Sequence, residues 1–563
     1  MRGIRNGTLV ALLSVAVVVG LAGTDGVDAA TAPQRPNVLV LMTDDQTLES
    51  VRVMANVRSL LAAQGTTFAN SFVSYSLCCP SRATFLTGQY AHNHGVMGNA
   101  PPQGGSAKLD HSNTLAVWLQ RSGYRTVHLG KFLNGYGRDA TPPVPPGWSE
   151  WYGSVDPSTY RFFNYTLNEN GTLHTYAGSY QTDLYASKAV ELVGRLAAGT
   201  QPFFLSVAFL APHNGQPRDG DDPANLGTPS PAPRHRNRFA AEPLPQPPSF
   251  NEADVSDKPA AVRRRAGLGP RRVTAERELY QQRLESLLAV DEAIGRIVDA
   301  VRTSGELGRT LIVFTSDNGF MHGEHRIPSG KVVVYEPSIR VPLILRGPGV
   351  PRGRTHRDLV VNADVAATIL DAANARAGRT LDGRSLLPLA RDVRRRLGRD
   401  ILLETSNYSA IRTPRFKYVE YRTGEQELYD LARDPYELTS RHADPTLAGI
   451  KAELARRLAK LRTCRGAACR AGARVALTAR YRAGRARCVR SNVRVGLRGA
   501  DVTRVTRAEF RLAGRRLRVD ARRPFTGTVA KGRLARRGGL LRVALTFADG
   551  REQTLDRSLR RCG

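Results

Sequence analysis

The sequence predicts an α/β core built on a mostly parallel sheet, followed by a smaller α+β unit and a C-terminal β-sandwich. Two patterns predict it. From Arg35 to about Ala375, apolar runs of strand length alternate with longer helical patterns, as expected where helices cover both faces of a sheet. After Cys464 the pattern changes to short strands separated by Gly-rich turns. The chain has 563 residues, more than one compact core holds, so two or three domains are expected.

Residues 1–30 read as an export signal. Arg2 and Arg5 precede an uncharged apolar run from Leu9 to Ala22, and Val27-Asp28-Ala29 suits cleavage. The run is short for a membrane span, and no later segment is long and apolar enough to be one. The mature chain is therefore expected to be secreted or otherwise extracytoplasmic. Residues 35–375 form the expected catalytic unit. Its strands are Val38 to Thr43, Thr126 to Leu129, Phe203 to Phe209 and Leu311 to Thr315, and its helices include Leu184 to Leu196 and Leu279 to Val301. Asn214 to Arg272 is rich in Pro, Gly, Asp and Arg and reads as a long, partly disordered surface insertion that can form a rim after His213.

Residues 376–472 are the smaller unit. Tyr408 to Tyr421 and Glu427 to Leu431 read as antiparallel strands, and a helix presents Ile450, Leu454, Leu458 and Leu461 on one face. Residues 473–563 are the sandwich, with strands at Val475 to Tyr481, Val493 to Leu497, Ala508 to Val519 and Leu540 to Phe547.

The net charge of +32 is unevenly spread. From Cys464 onward there are 27 basic and 6 acidic residues, an excess of 21, while the preceding 463 residues carry an excess of 11. Such a tail reads either as a solvated arginine-rich face or as a contact for a polyanion. Four of the six cysteines, Cys464, Cys469, Cys488 and Cys562, fall in this stretch and allow three disulfide pairings. The favoured pairing joins Cys464 to Cys469 and Cys488 to Cys562. Cys78 and Cys79 stand apart.

Parallel α/β sheets bind ligands outside the carboxyl ends of their strands. Four predicted strands end in reactive residues there: Asp44-Asp45, Gly130-Lys131, Ala211-Pro212-His213 and Asp317-Asn318-Gly319. Asp44, Asp45, Asp317 and Asn318 offer oxygen ligands, which suit calcium or magnesium rather than zinc. Either pair alone reads as a turn; two pairs, each closing an apolar strand, point to a metal. Lys131 and His213 would bring donors to an anionic substrate. Cys78, with Arg82 four residues on, can be an activated thiolate or half of a buried pair with Cys79.

Neither reading explains the whole run Cys78-Cys79-Pro80-Ser81-Arg82-Ala83-Thr84-Phe85-Leu86-Thr87-Gly88. It resembles the formylglycine signature of the sulfatase family, with each fixed position of that signature present. The resemblance spans about Arg35 to Ala473. Within the family it is strongest to the N-acetylglucosamine-6-sulfatase branch, through Leu77 to Arg82, His92-Asn93-His94, Gly130 to Asn134, Phe163 to Leu167, Ala211-Pro212-His213, Arg346 to Gly349 and the pair Cys464 and Cys469.

The resemblance implies an alkaline-phosphatase-like core and a sulfuric-ester hydrolase acting on a sulfated carbohydrate, 6-sulfated N-acetylglucosamine first, or an aryl sulfate. It implies that a formylglycine-generating enzyme oxidises Cys78, that Asp44, Asp45, Asp317 and Asn318 hold Ca2+ together with residue 78, that Arg82 steadies the formylglycine, and that Lys131, His213 and Lys331 bind sulfate. In that scheme the hydrated aldehyde attacks sulfur and later reforms, expelling sulfate. One position departs from many members: Leu133 stands where they carry His, two residues after Lys131. His322 and His325 are candidates for the base that this leaves unassigned. The rival readings are a phosphoesterase or phosphonate hydrolase on the same scaffold, and a polyanion-binding protein with an inactive site. No nucleic-acid partner is expected. The weak likeness of the tail to bacterial immunoglobulin-like modules carries no function.

Overall fold

The computed structural model describes residues 35–138, 142–484 and 488–562. The expected export signal lies outside them. Among the described residues no helix is long and apolar enough to cross a membrane.

The centre is a ten-stranded mixed sheet. Its middle is parallel: Asn37–Thr43 lies between Thr310–Ser316 and Phe203–Ala208, and Arg125–Gly130 pairs with the far side of the latter. These strands are buried along nearly their whole length, which explains why they read as continuous apolar runs rather than alternating ones. Antiparallel strands, among them Leu343–Arg346 and Tyr165–Glu169, extend both sides of the sheet. Helices Gln181–Ala197 and Pro270–Thr303 cover one face with Leu192, Val193, Leu287, Val290 and Ile294. The other face packs on Cys78–Thr87, Leu115–Arg121 and Ala363–Ala373 through Phe85, Leu119 and Ile369.

Register decides what meets at the sheet's edge. Thr43 is level with Ser316, Met42 with Ala208, and Gly130 with Ala208. The residues after each strand therefore emerge side by side. Gly130 adopts φ +102° and passes so close to its neighbour that an added Cβ would lie 2.1 Å from the Ala208 carbonyl oxygen. Glycine is required there, immediately before Lys131.

A four-stranded antiparallel sheet, Ile401–Glu404, Tyr408–Arg412, Phe416–Tyr421 and Gln426–Asp430, packs with helix Ala448–Leu461. The single strand expected over 408–421 is thus two, because Thr413-Pro414-Arg415 makes a turn in which Thr413 Oγ1 accepts from the Phe416 amide at 2.8 Å. The tail holds a three-stranded and a four-stranded antiparallel sheet sharing one apolar core. The strand expected over 508–519 is likewise a hairpin, Val505–Leu512 and Arg515–Asp520, turned by Ala513-Gly514. Disulfides join Cys464 to Cys469 and Cys488 to Cys562. Segment 214–272 is mostly irregular and exposed, as expected of a surface insertion, but it is anchored to the body of the fold. Leu226, Leu244, Val255 and Val262 are buried, and the buried Lys258 Nζ lies 3.2 Å from a carboxylate oxygen of Glu252. Composition hid the anchoring, because its few apolar residues are spaced without a period.

Candidate active site

Cys78 opens helix Cys78–Thr87, and the helix stops at Gly88 in the left-handed region, φ 64°. Every residue of this helix is buried. The Cys78 side chain thus stands at the positive end of a helix, a position that favours negative charge on a partner. Its Sγ lies 3.5 Å from Asp44 Oδ1 and 2.9 Å from Lys331 Nζ.

The two acidic pairs meet as strand register requires. The Asp45 amide donates to Asp317 Oδ1 at 3.0 Å, and Asn318 Nδ2 donates to Asp45 Oδ1 at 2.6 Å. Asp45 itself is left-handed, φ 66°, a conformation that Asp tolerates better than most residues. Asp44, Asp45, Asp317 and Asn318 are 0–2% exposed. Burial alone would raise both first carboxyls. Lys131, His213 and Arg82 outweigh it at Asp44, which is lowered. Lys331, His213 and Arg283 outweigh it at Asp45, which falls to about 2.

Cations enclose this cluster. Lys131 pairs with Asp44, and Lys331 with Asp45. Arg82 donates from Nε to Asp317 Oδ2 at 2.8 Å, lies 3.3 Å from Asp44 Oδ2, and donates to the Lys131 carbonyl at 2.7 Å. It thereby ties the Cys78 helix to two strand ends. His213 Nδ1 lies 2.7 Å from the Asn214 carbonyl, so in the neutral ring its proton belongs there and Nε2, 3.7 Å from Asp45 Oδ2, is free to exchange one. Burial lowers the His213 pKa against the pull of Asp45 and Asp44. Burial, with Asp44 second, pushes the Cys78 thiol up to about 12. That direction favours the thiol over the thiolate in an unmodified Cys78.

The donor set fits a hard cation. It supplies three buried carboxylates and an amide, and Asn318 Oδ1, though buried, has no hydrogen-bond partner. Asp44, Asp45, Cys78 and His213 are close enough together to share an ion.

Three residues escaped the sequence reading. Arg283, 3% exposed on the long helix, donates to the Pro212 carbonyl at 2.9 Å and to the Asp45 carbonyl, and covers the Phe320 ring at 4.0 Å. An arginine on the buried face of a helix was its signal. Tyr160 lies 4.7 Å beneath Lys131 Nζ and 5.1 Å from the His213 ring, and its hydroxyl accepts from Asn134 Nδ2 at 2.6 Å. Val332, beside Lys331, is held at φ 69°, a strained conformation for a β-branched residue, with its amide donating to the Ser76 carbonyl at 3.1 Å. That bond fastens the Lys331 loop to the segment before Cys78. The proposed bases turn elsewhere. His325 Nδ1 meets Glu252 at 2.6 Å, and His322 packs on Tyr280 with Nδ1 3.9 Å from Glu276.

The sulfatase family profile matches residues 36–375, and a profile described as N-sulphoglucosamine sulphohydrolase, C-terminal, matches residues 323–464. The chain belongs to the sulfatase family. This sulfatase is 34% identical over 517 residues to an arylsulfatase of Volvox carteri, covering 81% of this chain and 79% of that one. It is 32% identical over 515 residues to human N-acetylglucosamine-6-sulfatase, covering 81% and 90%. Its fold matches a protein solved in complex with its substrate D-glucosamine-2-N,6-O-disulfate, at 24% identity and a TM-score of 0.63, over 76% of this chain and 98% of that one. The sulfatase is a sulfuric-ester hydrolase, and the residues after 464 lie beyond both family profiles.

Proposed function

We propose that this sulfatase is exported, that its Cys78 is matured to formylglycine by a formylglycine-generating enzyme, and that it desulfates carbohydrates of the 6-sulfated N-acetylglucosamine type as well as aryl sulfates. Asp44, Asp45, Asp317 and Asn318, with residue 78, would hold one calcium ion. The observation that carries the reading is the placement of Cys78 Sγ between Asp44 and Lys331 at the buried edge where the four strands end. The sugar class is supported by the relatives' names, and export by two disulfides and by the apolar start of the sequence. Residues 35–375 and 376–472 would form the catalytic unit and its smaller partner, with 473–563 an accessory module.

Formylglycine supplies, as its hydrate, the attacking hydroxyl, and calcium supplies charge that draws density from the sulfate oxygens. The chain's own residues do the rest. Lys131 and Lys331 stay protonated, since burial would lower them but Asp44 and Asp45 hold them above the ordinary lysine value. They bring fixed positive charge to sulfate oxygens as the transition state gathers charge there. His213 Nε2 holds or yields a proton on the same side. Arg82 fixes residue 78 against the Asp44 and Asp317 strand ends, and Tyr160 supports Lys131 from below.

Turnover of 4-nitrophenyl sulfate, its phosphate and phenylphosphonate counterparts, and 6-sulfated N-acetylglucosamine tests the reading. Both sulfates should be preferred, chelation should remove activity, and added calcium should restore it. A phosphonate turned over faster than the sulfates would favour the rival hydrolase. Full activity in protein shown by metal analysis to hold no divalent ion would end the calcium assignment.

A further inference from the structure

The C-terminal sandwich holds a groove of about 1030 Å³ between its two sheets. That is at the upper end of the roughly 300–1,000 Å³ typical of ligand sites. Among its described lining residues there is no Asp or Glu, and there are six arginines: Arg480, Arg494, Arg498, Arg518, Arg533 and Arg557. Arg518 pairs with Asp520. The other five, all exposed, have no ion pair among the described residues.

Some tail arginines outside the groove meet carboxylates. Arg504 meets Glu453, Arg542 meets Asp392 and Asp556, and Arg551 meets Asp549. Strand register brings two of the groove's charges together. Arg480 on strand Ala476–Arg480 sits directly opposite Arg494 on strand Val493–Arg498. Like charges facing one another across an antiparallel pair destabilise it. A bound anion converts that repulsion into two attractions. Arg557 adds a charge from the second sheet, level with the buried Leu541.

We infer that this groove binds a sulfated polysaccharide chain, holding the sulfatase on polymeric substrate while the catalytic sheet edge hydrolyses single esters. A guanidinium presents parallel N–H donors that match two oxygens of a sulfate group. The half-buried Leu477, Leu497 and Leu517 between the arginines offer apolar surface for sugar faces. Among the described lining residues Phe510 is the one aromatic, and at 2% exposed it offers no platform on which nucleic-acid bases can stack. Its concave shape opposes a lipid surface. The choice of sulfate among anions rests on the carbohydrate reading above; the groove and its charges do not.

The test compares wild type with Arg480→Gln/Arg494→Gln/Arg498→Gln, and with Arg533→Gln/Arg557→Gln on the other side of the groove in case the first fails to fold. Affinity for dextran sulfate is measured at about 0.15 M salt, beside 4-nitrophenyl sulfate turnover. The triple variant should bind at least about tenfold more weakly, the double variant should also weaken, and small-ester turnover should be unchanged in both. Dextran sulfate should raise the melting temperature of wild type and not of the triple variant. Undiminished binding by both variants overturns the inference. So does single-stranded DNA, or anionic vesicles, binding through the same arginines as tightly as dextran sulfate. Wild type that binds dextran sulfate but turns over no sulfate ester would instead sink the proposed function and leave the groove standing.

Discussion

The catalytic edge and the C-terminal sandwich both concentrate charge, and they handle it in opposite ways. At the edge, Asp44, Asp45 and Asp317 are buried and each touches a lysine or arginine. In the sandwich groove, five arginines are exposed and no carboxylate is among the described lining residues. A buried, fully paired set is fixed before substrate arrives, and salt screens it little. An exposed, unpaired set holds no geometry of its own but attracts anions at a distance. One sequence thus carries two electrostatic designs: one suited to stabilising charge on a single sulfur centre, the other to holding a long anion.

The largest effect that can break this contrast is expected at the edge. Asp317→Ala leaves Arg82, 3% exposed, with only Asp44 to answer its charge. Removing one partner of such a pair costs about 3–5 kcal/mol. Denaturant unfolding should show that loss, and aryl sulfate turnover should vanish. A stable, active variant would mean that the edge does not depend on mutual pairing.

A smaller effect is expected at the seam between the regions. Arg457 of helix Ala448–Leu461 donates to Asp400 of the smaller unit from Nε at 2.8 Å and to Asp549 of the sandwich from Nη1 at 2.6 Å. Asp549→Asn should lower stability by about 1–3 kcal/mol and leave small-ester turnover intact. Loss of turnover would make the sandwich part of the site.

The smallest effect depends on pH. His92 Nδ1 lies 2.9 Å from Glu404 Oε2 and its Nε2 lies 2.9 Å from the Cys464 carbonyl, so both ring nitrogens face acceptors. Burial would lower the His92 pKa, but Glu404 raises it above the ordinary value. A histidine raised on folding adds stability below about pH 6.5 and loses it as pH climbs through the folded value. His92→Gln should therefore cost more stability in mildly acid buffer than in alkaline buffer. An equal cost at both would place the charged form outside this contact.

The same contrast decides how much was readable from sequence. Strand ends were legible because a buried parallel strand is a continuous apolar run, and the residues just past its end are polar by necessity: Asp44 after Val38 to Thr43, Asp317 after Leu311 to Ser316. Chain direction then put them on one edge. Arg283 and Tyr160 were not legible, because they reach the site from a helix and a 3-10 turn whose placement depends on tertiary packing. The hairpin turns at Thr413 and Ala513 were missed because apolar alternation resumes at once on either side. The tail's charge was countable from composition, but the facing of Arg480 and Arg494 needed strand register. His322 and His325 stand close to Asp317 in sequence and spend their contacts elsewhere.

The central claim is that Cys78 is the precursor of the nucleophile and Cys79 is a neighbour. Mass spectrometry of the peptide carrying residues 78 and 79, from protein made with and without a formylglycine-generating enzyme, tests it most directly. The account predicts that the CH2–SH of Cys78 becomes an aldehyde only when the maturing enzyme is present, with aryl sulfate turnover rising in proportion, that Cys78→Ala is inactive, and that Cys79→Ala keeps most of its activity. Full turnover by protein whose residue 78 remains an unmodified cysteine would contradict it.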